Sequence, residues 1–209
     1  MDNNLERYII DHSTPEDPLL EDLFRQTHIR FVNPNMVSGN LQGKFLEMIS
    51  RMIQPERILE IGTFTGYSAI CMAKGLKSGG RLTTIELNDE LVSFAGSYFE
   101  RAGLTPVIEQ LTGNAVQIIP TLDCFFDLVF IDGDKREYVD YFEAVTGKVK
   151  SGGFIIADNV LWGGKALDKN TKDTQARGII NFNDMISQQA DIEKLILPVR
   201  DGLMIIRKK

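Results

Sequence analysis

From residue 57 onward the chain alternates between short apolar runs and longer stretches with apolar residues at helical spacing. The apolar runs fall at 57–61, 81–86, 106–112, 127–131 and 153–157 and are rich in Ile, Val, Leu and Phe, as buried strands are. Between them, 67–76, 89–102, 114–121 and 137–149 read as helices. Regular alternation of strand and helix predicts a mostly parallel sheet with crossover helices. The end of the chain departs from the rhythm. A helix near 174–188 is followed by apolar runs at 192–199 and 203–207, with Asp201-Gly202 between them, which reads as a hairpin. The expected fold is α/β and Rossmann-like: a seven-stranded, mostly parallel sheet with an antiparallel C-terminal strand and helices on both faces.

The first 55 residues precede this pattern. Residues 1–35 read as largely helical, with Leu19, Leu20, Leu23 and Phe24 at helical spacing and Pro15-Glu16-Asp17-Pro18 turning the chain into them. Asn33-Pro34-Asn35 breaks the helix, 36–40 is a loop, and 41–53 makes a second amphipathic helix before Pro55. Residues 1–55 are therefore expected as a helical cap, either packed on the sheet or covering a ligand. No internal repeat, low-complexity segment or second domain is visible, so 1–209 reads as one domain.

Composition narrows the function classes. Hydrophobic residues make up 43% and charged residues 25%, an ordinary balance for a soluble domain. Acids outnumber bases 29 to 23, giving a net charge of −6, which argues against a nucleic-acid surface. There is no apolar run long enough for a membrane span and no basic-then-apolar leader, so a cytoplasmic protein is expected. Cys71 and Cys124 fit two thiols in a reducing compartment better than a disulfide or metal pair.

The chemistry begins at Glu60-Ile61-Gly62-Thr63-Phe64-Thr65-Gly66-Tyr67-Ser68, a strand end, a tight turn and a helix start. Such a turn is where a nucleotide-like ligand sits in α/β folds. The dinucleotide fingerprint needs glycine two and five residues after the first, where Phe64 and Tyr67 stand here. No Gly-Lys-Ser/Thr follows either, so pyrophosphate and phosphate-cradling readings fall and a nucleoside without phosphates remains. Glu86 ends the second strand about 20 residues on, where a carboxylate can accept ribose hydroxyls. Alone it would be a solvated loop acid. Thr112-Gly113-Asn114-Ala115 ends the third strand as a polar turn whose backbone could flank an adenine edge; alone it is a helix cap.

Asp132-Gly133-Asp134-Lys135 follows the fourth strand, and Asp158-Asn159 follows the fifth. In a parallel sheet these carboxyl ends share one edge, so Asp132, Asp158 and Asn159 can converge. Two carboxylates and an amide oxygen suit a hard divalent cation, Mg²⁺ with Ca²⁺ or Mn²⁺ as alternatives. Lys135 stands beside them as a candidate general base, its pKa expected to be lowered by a nearby cation and partial burial.

These segments together, continued by Val160-Leu161-Trp162-Gly163-Gly164, resemble the cation-dependent O-methyltransferases, which include caffeoyl-coenzyme A and catechol O-methyltransferases and small bacterial relatives. Met36-Val37-Ser38, Gln42-Gly43-Lys44-Phe45-Leu46 and Leu197-Pro198-Val199-Arg200-Asp201-Gly202-Leu203 look like further landmarks, so the resemblance covers nearly the whole chain. It implies a class I methyltransferase fold with S-adenosylmethionine in the first crevice. Val37, Gly62, Ser68 and Asp132 would surround the methionine portion, Thr63 and Glu60 would also bind the cofactor from the turn, Glu86 would hold the ribose and Ala115 the adenine. Asp132, Asp158 and Asn159 would hold the metal and Lys135 would be the base. The family often has Asp at the position of Asn114, Ala at that of Gly133 and Gly at that of Arg200.

The implied reaction is methyl transfer to one hydroxyl of a small aromatic diol or phenylpropanoid, by a homodimer. Two rival readings stand beside it. One is a transfer-RNA hydroxyuridine methyltransferase, which the acidic balance and Trp162-Gly163-Gly164 disfavour; the other is a non-catalytic nucleoside-binding module. Trp162, Met36 and the 163–173 loop are candidates to wall an aromatic ring, and core packing or loop anchoring fits each equally well.

Overall fold

Strands form at each apolar run: β1 Arg57–Ile61, β2 Arg81–Glu86, β3 Ile108–Thr112, β4 Phe126–Ile131, β5 Val149–Ala157, β6 Ile192–Leu197 and β7 Leu203–Lys208. They come from a computed structural model that describes residues 3–209, and side chains from residue 7 on. The first two residues of the expected N-terminal helix lie outside the described residues. The helices are α1 Asn3–Asp11, α2 Pro18–Arg30, α3 Gly39–Ile53, α4 Tyr67–Ala73, α5 Val92–Arg101, α6 Ala115–Ile118, α7 Tyr138–Thr146 and α8 Thr174–Gln188.

The sheet runs in the order β3-β2-β1-β4-β5-β7-β6. The first five strands pair in parallel, and β7 is antiparallel to both its neighbours, as the hairpin predicts. Alternate residues point to opposite faces, which splits the core in two. Leu59, Ile61, Val129, Ile131 and Ile155 pack with Tyr138, Phe142, Phe182 and Ile186 of α7 and α8. Ile58, Leu128, Phe130 and Ile156 pack on the other face with Leu46, Ile70, Met72 and Phe99. Leu20 and Leu23 of α2 join that second cluster, so the N-terminal helices extend one face of the sheet.

Three expectations need adjusting. β5 starts at Val149, four residues before the expected strand, because Ser151-Gly152-Gly153 is not a turn but an irregular stretch of strand. Gly152 sits at φ +80, and pairing with β4 resumes beyond it at Leu128–Phe154. The helix expected over 137–149 accordingly stops at Thr146. The hairpin turn is longer than Asp-Gly: residues 198–202 connect β6 to β7, with Arg200 at φ +50 and Gly202 at φ +88.

Candidate active site

The carboxyl ends of β1, β2, β4 and β5 open into one cavity of about 780 Å³. Three strand ends are tied together at its floor. Gly62 N–H donates to Ile85 O at 2.9 Å, and Asp132 N–H donates to Ile61 O at 2.9 Å. Gly62 has φ +96, and a Cβ there would collide with the carbonyl oxygen of Asp132. Only glycine serves at that position, for conformation and for space. The turn closes with Gly66 N–H on Thr63 O at 2.8 Å and leaves Phe64 at φ +47. Glu86 holds that strained residue, its Oε2 accepting Phe64 N–H at 2.8 Å while Oε1 accepts Asn88 N–H at 3.0 Å. Each oxygen keeps a lone pair for a ligand hydroxyl, and Glu86 lines the cavity. Val37, Gly62, Thr63, Ser68, Ala115 and Asp132 line it too. Asn114 caps α6 through its side chain, on Val116 N–H at 2.8 Å.

Glu60 is not among the lining residues; it lies fully buried behind them. Its carboxyl oxygens accept the hydroxyls of Ser68 and Thr84, each at 2.5 Å. Thr84 Oγ1 also stands 2.5 Å from Thr63 Oγ1, a contact in which either hydroxyl can donate, so the chain of hydrogen bonds runs from Glu60 to the turn. Burial pushes the Glu60 carboxyl up to about 8, against the hydrogen bonds from Ser68 and Thr84 and with repulsion from Asp132 and Glu86. Glu60 thus stands directly behind the turn, where it buttresses Ser68 and, through Thr84, Thr63.

At the other end of the cavity, Asp158 N–H donates to Ile131 O at 3.0 Å, which sets Asp158 beside the Asp132 strand end. Asp158 is buried; its Oδ2 accepts Gln42 Nε2 at 2.6 Å and its Oδ1 accepts Asn159 N–H at 2.7 Å. Burial, then repulsion from Asp132, pushes its carboxyl up from the ordinary range. Asn159 follows at φ +56 and lines the cavity. Lys135 is 6% exposed and donates to Asp132 Oδ1 at 2.7 Å and Gly133 O at 3.1 Å. Burial alone would lower its pKa, but the charge of Asp132 and the Tyr138 hydroxyl outweigh it, and the net shift is upward. The upward shift comes from pairing with Asp132, the same carboxylate that is expected to hold the cation.

Two residues of this end carry no expected role. Gln42 of α3 is fully buried and reaches Asp158 from across the fold. Its signal is a polar residue on the inward stripe formed with Leu46 and Ser50. Arg200 lines the cavity from the 198–202 turn. Trp162 and Met36 line it as expected, whereas no residue of 163–173 does. Trp162 Nε1 donates to Asp173 Oδ2 at 3.2 Å, so that loop anchors the indole from outside.

The donor set is compatible with a hard cation. The cavity lining contains no His or Cys, and Asp132, Asp158 and Asn159 offer only oxygen. Among the described residues no three acids, histidines or cysteines converge. A divalent ion would thus depend on the Asn159 amide as third donor. The Asp132 charge beside the buried Asp158 raises the proton affinity of Asp158, a repulsion that a cation between the two would relieve. The nucleoside crevice fits equally: a backbone cradle at Gly62 that a Cβ would fill, and a carboxylate at Glu86.

Comparison with known proteins agrees with this layout. The model of a family described as O-methyltransferase matches residues 10–209. The chain is 39% identical over 165 residues to a catechol O-methyltransferase of Niastella koreensis, covering 77% of this chain and 74% of that protein. It is 28% identical to a caffeoyl-CoA O-methyltransferase of Stellaria longipes, over 98% of this chain and 90% of that one. The crystal structure of the O-methyltransferase TomG of Streptomyces achromogenes, in complex with S-adenosylmethionine, superposes with a TM-score of 0.92 at 32% identity, covering 99% of this chain and 96% of that one.

Proposed function

The chain belongs to the O-methyltransferase family, it is an S-adenosylmethionine-dependent O-methyltransferase, and from that premise we propose that it methylates one hydroxyl of a small catechol-like or phenylpropanoid acceptor with the help of a divalent cation. The observation that carries this reading is the pair Asp132 and Asp158, set side by side at two strand ends in the cavity that Glu86 and Gly62 also line.

When bound, S-adenosylmethionine supplies an electrophilic sulfonium methyl, and a divalent cation lowers the pKa of a diol hydroxyl. The chain's own residues do the rest. Glu86 accepts the ribose hydroxyls, and Gly62 lets the backbone approach the methionine portion, with Val37, Thr63, Ser68 and Asp132 around it and Ala115 toward the adenine. Asp132, Asp158 and Asn159 would hold the cation. Trp162 and Met36 flank the aromatic ring and keep its hydroxyl in line with the methyl, which supplies much of the rate. On this reading the acceptor oxygen would take the methyl as its bond to sulfur breaks, leaving a neutral thioether, and the hydroxyl proton would pass to Lys135. Lys135 is placed to receive that proton only when the charge of Asp132 is engaged elsewhere. With Asp132 free beside it, the ammonium stays charged and acts as a donor. The proposal includes a homodimer, a property carried by the family resemblance.

The test is a methyl-transfer assay on catechol, a dihydroxycinnamate and bulk transfer RNA, with Mg²⁺ and with chelator. Turnover of the diols only, lost with chelator and reduced at least ~1000-fold by Asp132→Ala, is the expected result. Full transfer by both chelator-treated protein and Asp132→Ala would remove the cation from the mechanism. Methyl incorporation into RNA alone would replace the acceptor class.

A further inference from the structure

The basic residues of the cavity are not equivalent. Three line it: Lys135, Arg136 and Arg200. Lys135 is paired with Asp132, and Arg136 with Asp134. Arg200 has no carboxylate partner among the described residues. Its Nη1 donates to Val37 O at 3.0 Å, to Ser38 O and to Gln42 Oε1 at 3.3 Å. Its Nε and Nη2 make no hydrogen bond among the described residues, so more than half of the guanidinium donors remain for a ligand.

Position and strain both mark this residue. Arg200 holds a left-handed backbone, φ +50, which disfavours any residue but glycine. The turn is nonetheless fixed, since Leu161 N–H donates to Asp201 O at 2.9 Å and Gly163 N–H to Asp201 Oδ1 at 2.5 Å. The turn is therefore held against the Trp162 segment through Asp201, and the guanidinium against residues 37–38. Through Gln42 it is one side chain away from Asp158, because Gln42 Oε1 faces Arg200 while Nε2 donates to Asp158 Oδ2 at 2.6 Å. The same cavity is lined by Glu86, Asp132, Asp134, Glu137 and Asp158. An acceptor carrying its own negative charge would be repelled by these groups unless a cation met it at the acceptor end, and Arg200 is the cation available there.

We propose that Arg200 is a specificity-determining residue that receives a carboxylate of the acceptor, so that the preferred acceptor is an ortho-diphenol bearing an anionic group rather than a neutral catechol. This rests on the methyl-transfer reading of the same cavity. A planar guanidinium with adjacent free donors matches a carboxylate in two-point geometry, and its charge-assisted hydrogen bonds discriminate strongly against a neutral ester.

The experiment compares 3,4-dihydroxybenzoate with its methyl ester, which keeps the ring and loses the charge. Wild type, Arg200→Gly and Arg200→Lys are assayed for kcat/KM. Binding of both compounds is also titrated with S-adenosylhomocysteine and Mg²⁺ present. Glycine suits φ +50, so Arg200→Gly tests the charge without adding strain. Wild type is expected to favour the acid over the ester at least about tenfold. Arg200→Gly should erase that ratio through KM, and Arg200→Lys should restore part of it. A ratio unchanged in Arg200→Gly, or a wild type that favours the ester, overturns the proposal. So does an equal fall for acid and ester, which would make Arg200 only a brace for residues 37–38. Arg200-dependent binding of the acid without turnover leaves the assignment standing and removes the methyl-transfer reading instead. Binding of neither compound overturns the assignment.

Discussion

The two ends of the cavity are built differently. The cofactor end is a continuous strand, turn and helix, β1 to α4, closed by Glu86 from the adjacent strand. Its strain is local, at Phe64 between the left-handed glycines Gly62 and Gly66, and is held by the Glu86 carboxylate from the adjacent strand. The acceptor end is assembled from segments far apart in the chain. Gln42 reaches Asp158 over 116 residues and Arg200 reaches Ser38 over 162. The first design fixes one ligand by backbone shape. The second leaves selectivity to a few side chains that can change without disturbing the turn.

That contrast can be broken most severely at Gly62. Gly62→Ala adds a Cβ against the Asp132 carbonyl and a left-handed backbone for a residue that resists it. Overpacking and strain together should lower stability by ~2–4 kcal/mol and remove measurable S-adenosylhomocysteine binding. Urea unfolding and calorimetry check both; normal values would mean that the turn is looser than its contacts indicate.

A smaller effect, confined to the other end, is expected for Gln42→Ala. It leaves the buried Asp158 Oδ2 without its donor, an effect of ~1–3 kcal/mol. Turnover should fall while S-adenosylhomocysteine affinity stays within about twofold, in keeping with weak coupling between separate sites. If cofactor affinity falls as far as turnover, the two ends act as one unit.

A third expectation, read across a pH range, is a pH dependence of stability beneath the cofactor turn. The Glu60 carboxyl is pushed from its ordinary 4.5 up to about 8 by burial. The folded state therefore holds this proton more tightly than the unfolded chain does. Its contribution to stability is complete below pH 4.5 and declines as pH rises to about 8. Glu60→Gln has no such proton to lose and should flatten that decline in thermal unfolding across the same window. Asp158, also shifted upward, would keep a residual slope. An unchanged profile would show that Glu60 is ionised in the fold.

The cofactor end was legible in the sequence because its parts are contiguous. Missing glycines at Phe64 and Tyr67 excluded a pyrophosphate turn, and Glu86 lay at a readable interval from Gly62. The start of β5 was not legible, since Ser151-Gly152-Gly153 carries turn chemistry and only pairing with β4 holds it extended. The pairing of Lys135 was hidden too. Its neighbour Asp132 is three residues away in sequence, but whether their side chains meet depends on how the chain leaves β4.

The sequence by itself determined the order of strands and helices, the supply of carboxylates at two strand ends and the shape of the nucleoside crevice. Those follow from hydrophobic period and turn chemistry, which act over a few residues. Only the tertiary structure decided that Glu60 faces Ser68 and Thr84 rather than the cavity, that Gln42 satisfies Asp158, and that Arg200 is the unpaired cation of the acceptor end among the described residues. Each of these depends on which face of a strand or helix meets another after packing, and local sequence carries no distance between residues more than a hundred positions apart.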